Sequence, residues 1–292
     1  MCAFRLRYIG TSARLAIPLP FRLVWLLFPS LASAWLDSLG ALLCAARPTW
    51  NESRGMKQTH HFDTAAIKAL TFDLFGTVLD LKTSLLPAIE RFLSTRESSI
   101  DAVTLWESWR ARQRHEQFMD TLLDLGHGGY LETVRRAIVY TLALHHLPHG
   151  PSHVLELMEA WPHLRPFPEV ADALEALGRR YRLVVLSNGD PEFLAHLLEH
   201  QVEGTPFHKV FSVEEAGAFK PHPSVYRRAT AGLGLEVGQC MMISANSFDI
   251  VGARACGLRG AFVNRNQLPY DESVYRPDVV VEDFTQLAEV LV

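Results

Sequence analysis

The stretch TFDLFGTVLD, Thr71 to Asp80, ends an apolar run on an aspartate, Asp73, with Phe75 two residues on and Thr77 four residues on. Later apolar runs are also followed by polar side chains. Ser187 closes YRLVVLS and Asn188 follows it. Lys220 comes after KVFSV. Ser244 closes CMMIS, with Asn246 and Asp249 just beyond. Carboxylate, ammonium, hydroxyl and amide groups gathered in one place suit one of two tasks: a carboxylate nucleophile, or a carboxylate base toward water. The ammonium would neutralise nearby negative charge and keep the carboxylate ionised. Phe75 has no proton to give, and its place beside Asp73 bears on which leaving group the site can serve.

These residues meet only if their runs are neighbouring strands. IKALTFDLF (67–75), YRLVVLS (181–187), KVFSV, CMMIS, RGAFVN and DVVVE read as strands. Between them, NGDPEFLAHLLEH reads as a helix opened by Asp190 and Pro191. KPHPSVYRRATAGLG has proline at its entry and glycine at its exit, and NSFDIVGARACG is a third helix. Alternation of this kind predicts an α/β fold, a doubly wound parallel sheet with helices on both faces. Sites in such sheets lie beyond the carboxyl ends of the strands, where all the residues named above fall. The first strand is followed by a different text. Residues 85–97, 101–125, 130–147 and 152–161 carry helical spacing with no strand among them, and glycines and prolines punctuate them. This predicts an inserted all-helical cap. The expected organisation is an N-terminal extension over 1–60, core over 61–84, cap over 85–165 and core again over 166–292.

Four segments, DLFGT (73–77), LSNG (186–189), KPHPSVY (220–226) and SANSFDIVGAR (244–254), resemble in chain order the four motifs of the haloacid dehalogenase superfamily. With WRARQ (109–113) and the Asn264–Arg265 pair, the chain looks like the type II L-2-haloacid dehalogenases. The resemblance implies a Rossmann-like core with Asp73 as nucleophile, Lys220 as its counter-charge, and Thr77 and Ser244 hydrogen-bonded to it. Asp249, oriented by Asn246 and joined by Tyr226, would position and deprotonate a water. Ser187 and nearby backbone amides would hold the substrate carboxylate, and Arg110 and Asn188 the halide. Phe75, Tyr130 and Phe248 would wall the pocket.

Two departures from the phosphatases of that superfamily sharpen this. Phe75 replaces the acid that protonates a leaving alkoxide, and Ala245 replaces a magnesium ligand. The implied enzyme turns (S)-2-haloacids into (R)-2-hydroxy acids through an aspartyl ester, with no cofactor or metal, as a homodimer. Arg114 and His115, in RQRHEQF (112–118), fall where the usual dehalogenases are more apolar. They keep open a hydrolase of another small carboxylate. An inactive binding relative is the third reading.

The formal net charge of -4 leaves no basic footprint for nucleic acid. Cysteines 2, 44, 240 and 256 form no Cys-x-x-Cys pair, which suits reduced thiols in the cytoplasm. HHLPH (145–149) fits no standard metal spacing. The N-terminus carries Arg5, Arg7, Arg14 and Arg22 and then a nearly apolar stretch from Leu23 to Ala46, broken by Pro29 and Asp37. It reads as a targeting or anchor segment, as an ordered piece, or as sequence ahead of a true start at Met56.

Overall fold

The computed structural model describes residues 64–96, 98–202, 204 and 207–292, and these belong to one compact unit. The readings of the N-terminal extension lie outside the described residues. Six parallel strands make the sheet: β1 (Ala69–Phe72), β4 (Arg182–Ser187), β5 (Phe207–Ser212), β6 (Cys240–Ser244), β7 (Arg259–Val263) and β8 (Val279–Val281), in the order β5-β4-β1-β6-β7-β8. β1 is therefore central, and the winding reverses between it and β6. That reversal opens the crevice in which such sheets hold their ligands.

Strand residues alternate between two cores, as a pleated sheet covered on both faces requires. Leu70, Phe72, Leu183, Val185, Met241 and Ile243 pack on one face, with α5 (Val170–Gly178) and α9 (Phe284–Leu291). Ala69, Val184, Leu186, Cys240 and Met242 pack on the other, with α7 (Pro223–Leu233) and α8 (Ser247–Ala255). Neither α5 nor α9 was singled out from the sequence, although both have apolar residues at helical spacing. α7 begins on Pro223 and stops at Gly234, whose φ of 63° is the left-handed cap a helix end favours.

Between β1 and β4 the chain forms a two-stranded antiparallel ribbon, β2 (Leu79–Asp80) with β3 (Arg165–Pro166), enclosing four helices. These are α1 (Leu81–Ser94), α2 (Ala102–Leu122), α3 (Tyr130–Leu144) and α4 (Pro151–Met158). The first starts four residues before the expected boundary, because the Asp80 side chain accepts the Thr83 amide at 3.0 Å and caps it there. Asp101 caps α2 in the same way, at 2.9 Å from the Thr104 amide.

α6 (Pro191–Gln201) does open at Asp190 and Pro191, but Asp190 does not cap it with its side chain. Its carboxylate instead accepts the Tyr130 and Leu131 amides, at 2.8 and 3.1 Å, at the start of α3. The physical reason is supply and demand of donors. α3 follows Gly129 with no cap of its own, so its first amides and positive dipole end need an anion. No helix among the described residues is long and apolar enough to cross a membrane.

Candidate active site

Asp73 follows β1, and its amide still continues the ladder by donating to Ile243 at 3.0 Å. Its carboxylate is 4% exposed. Lys220 Nζ donates to Oδ1 at 2.8 Å. Thr77 Oγ1 and Asn246 Nδ2 each donate to Oδ2 at 2.8 Å, with Ser244 Oγ at 3.4 Å. Thr77 and Ser244 are themselves oriented, since they accept the amides of Ala245 and Asn246 at 2.9 and 3.0 Å.

Lys220 is 1% exposed and spends its three protons on Asp73, the Leu186 carbonyl at 3.0 Å and Asp249 Oδ2 at 2.7 Å. Burial alone would push this ammonium down, but the charges of Asp249 and Asp73 outweigh it and hold Lys220 above the ordinary lysine value. Asp249 is fully buried, and burial raises its carboxyl despite Lys220. Its other oxygen accepts Tyr226 Oη at 2.7 Å. Burial, and then the Asp249 charge, place the Tyr226 hydroxyl well above its usual range.

A cavity of about 20 Å³ lies over Asp73, lined by Phe75, Arg110, Arg114, Gln117 and Tyr130 among others, with Asn188, Lys220, Asn246 and Phe248 completing it. That is room for about one water. A wider groove of about 680 Å³ lies between α1, α4 and the ribbon. It holds none of the residues around Asp73, and the chemistry belongs to the smaller space.

Phe75 stacks on Tyr130 with ring centroids 4.1 Å apart, and Phe193 and Trp161 flank the pair. Burial pushes the Tyr130 hydroxyl up to about 12, with Arg110 opposing. That hydroxyl lies beside Arg110 and Gln113 without meeting either in hydrogen-bonding geometry. Phe248 meets Phe118 edge to face at 5.5 Å.

Two residues sit differently from the sequence expectation. Ser187 is fully buried and does not line the cavity; its hydroxyl accepts the Gly189 amide at 3.2 Å. Asn188 lines the cavity, but its amide nitrogen donates to Gln117 at 3.2 Å and its oxygen accepts the Lys220 amide at 2.9 Å. Its side chain is thus already committed to joining cap and core. His115 is exposed and does not line the cavity. Gln117 was missed as a wall residue. Arg110, Arg114 and Gln117 fall at i, i+4 and i+7 on α2, so one helix face carried the signal.

Magnesium is the ion that the phosphatase side of the resemblance would place here. The donor set does not fit that ion, because the Lys220 ammonium already bridges both carboxylates and Ala245 offers no side-chain oxygen.

The model of a haloacid dehalogenase-like hydrolase family matches residues 67–257. Haloacetate dehalogenase H-2 of Moraxella sp. (strain B) is 32% identical over 220 residues, covering 74% of this chain and 93% of that protein. An (S)-2-haloacid dehalogenase of Xanthobacter autotrophicus is 32% identical over 199 residues, covering 68% and 76%. The structure of the L-2-haloacid dehalogenase from Xanthobacter autotrophicus with chloropropionic acid covalently bound matches with a TM-score of 0.66 at 25% identity, covering 77% of this chain and 98% of that one.

Proposed function

The chain belongs to the haloacid dehalogenase-like hydrolases, and from that membership we propose a hydrolytic dehalogenase that converts short (S)-2-haloacids to (R)-2-hydroxy acids through an ester on Asp73. The observation that carries this reading is Phe75. Stacked on Tyr130 two residues past Asp73, it fills the place from which an acid would protonate an alkoxide. A halide leaves as a stable anion and needs no such proton.

Asp73 attacks the carbon bearing the halogen from the opposite face. The C–O bond forms as the carbon–halogen bond breaks, and the electron pair leaves with the halide. Attack from the rear inverts the carbon. Lys220 keeps Asp73 ionised, while Thr77, Asn246 and Ser244 fix its second oxygen. Arg110, on the cavity wall, receives the halide. Asn188, engaged by Gln117, shapes that wall. Backbone amides near Phe75 receive the substrate carboxylate, and Ser187 supports the turn at Gly189 behind them.

Water then adds to the carbonyl carbon of the ester and gives its proton to Asp249, whose basicity burial has raised. The bond between the ester carbonyl carbon and the substrate oxygen then breaks, Asp249 returns its proton to that oxygen, and the hydroxy acid leaves with an oxygen from Asp73. The second proton of the water passes to solvent as the Asp73 carboxylate is restored with one oxygen from water. Esterification removes the Asp73 charge and leaves Asp249 as the one carboxylate still paired with Lys220.

The helices between the two ribbon strands act as the cap in this scheme, and the rest of 61–292 as the core. A homodimer is supported by exposed Leu122, Leu123 and Leu125 at the end of α2. A cytoplasmic site is supported by the free thiols Cys240 and Cys256. A second reading, the same chemistry on another small carboxylate, rests on Arg114 in the cavity wall.

The test is halide release from (S)-2-chloropropionate, its (R) isomer and chloroacetate, beside a phosphatase assay. The expected result is release from the (S) isomer and chloroacetate, unchanged by chelator. In a single turnover in heavy-oxygen water with enzyme in excess, the hydroxy acid carries ordinary oxygen and Asp73 carries the label. Labelled product at the first turnover would make Asp73 a base toward water. Metal-dependent phosphatase activity without halide release would sink the dehalogenase reading.

A further inference from the structure

Arg114 stands one helical turn after Arg110 on α2, and both line the cavity over Asp73. The other half-buried arginines of the cap are paired: Arg112 with Glu116, and Arg136 with Glu116 and Asp120. Arg110 donates to Gln113. Arg114 has no hydrogen bond, ion pair or ring partner among the described residues. Like charges at this spacing repel, and a guanidinium withdrawn from water without a partner is costly. Burial, with the Arg110 charge, pulls the Arg114 guanidinium down to about 10. It is still a cation at neutral pH.

The charges around the cavity are Lys220, Arg110 and Arg114 against Asp73 and Asp249. One positive charge is in surplus, and one carboxylate from outside would balance it. During the reaction proposed above, Asp73 loses its charge as the halide gains one. The balance therefore holds through the displacement only if the substrate carries a single carboxylate. Two anions, the substrate carboxylate and the departing halide, then face two guanidinium groups. Ser187, the side chain expected to hold that carboxylate, lies behind the wall.

We propose that Arg114 is the charged side chain that anchors the substrate's single carboxylate, adding to the backbone amides near Phe75, while Arg110 takes the halide, so that the paired arginines select small monoanionic acids. This rests on the dehalogenase reading for the identity of the second anion, and the test separates the two.

Acetate serves as the carboxylate probe and bromide as the halide probe, each titrated by calorimetry into the full chain, Arg114→Met and Arg110→Met. The expected result is acetate bound about tenfold or more weakly by Arg114→Met, with bromide within about threefold of wild type. Arg110→Met should show the converse. Chloroacetate turnover by Arg114→Met should show a raised KM with kcat changed far less, and Arg114→Lys should restore part of the affinity. The thermal midpoint of ligand-free Arg114→Met should equal or exceed that of wild type, since an uncompensated charge is removed.

Unchanged acetate binding would overturn the anchor. Equal weakening of both ions would reduce Arg114 to a general field and overturn it as well. A lowered midpoint would mean that Arg114 has a packing partner and would remove the premise. If acetate binding depends on Arg114 but no haloacid yields halide, the dehalogenase reading falls and the anchor stands.

Discussion

Asp73, Lys220 and Asp249 form a buried row in which one cation serves two anions. Taking charges out of water costs more than a single ion pair commonly returns, so the row holds because every oxygen and proton in it is engaged. Lys220→Met would leave two carboxylates facing each other without a cation. We expect a loss of about 3–5 kcal/mol in urea unfolding, together with loss of halide release. The pH dependence gives a second readout. The folded Lys220 value lies above its ordinary 10.5, so its contribution is complete below pH 10.5. It is lost as pH rises from there through the folded value. Lys220→Met should lack this alkaline loss, and a variant that keeps it would assign the loss to another group. Much of this row was legible in the sequence, because each member sits within a few residues of an apolar run. Tyr226 was legible only through its spacing from Lys220. The engagement of Asn188 and the withdrawal of Ser187 from the cavity were not, because neighbouring side chains on one turn differ only in which way the backbone points them.

Helix α8 must come close to α7 for Asp249 to reach Tyr226 and Lys220, and Gly252 permits it. A Cβ at Gly252 would stand 2.6 Å from Pro221 Cβ and 2.7 Å from Tyr226 Oη. Gly252→Ala should therefore push the helices apart, at a cost of about 1–3 kcal/mol. It should also slow ester hydrolysis more than halide release, as the Tyr226–Asp249 bond is lost. A burst of halide followed by slow turnover in stopped-flow is the expected signature; equal slowing of both steps would separate Gly252 from the water step. The cap depends on the core in a similar way. Asp190 supplies from the core the anion that the start of α3 lacks, and so sets the position of Tyr130. The sequence placed Asp190 at a helix start correctly and assigned its carboxylate to the nearer helix. A cap that arrives from sixty residues away in the chain leaves no local pattern.

At the scale of the molecule, among the described residues, the two cores are built from residues 67–291, and every residue around the cavity lies after Phe72. A chain beginning at Met56 should fold and release halide at a rate within about twofold of the full chain. Its thermal midpoint should stay within a few degrees, since a change of about 1 kcal/mol moves the midpoint of a domain this size by only about 2–4 °C. An insoluble or inactive product would assign the extension a structural part. The cavity itself is a feature of the whole. Its floor comes from β1, β6 and the loop before α7, and its roof from α2 and α3.

The sequence by itself determined the parallel sheet, the helical insertion and the order in which the polar residues leave the strands. These follow from periodicity and from what ends each apolar run, and both are local properties of the chain. The family resemblance followed from four short segments in that order. Only the tertiary structure decided which of those side chains face the cavity, how Lys220 divides itself between two carboxylates, and that Arg114 enters the wall beside Arg110. Those outcomes depend on the rotation of α2 against the core and on donors supplied from distant segments. A guanidinium four residues after another reads as a solvated helix face until the opposite surface is known, and here that surface is the nucleophile's own crevice.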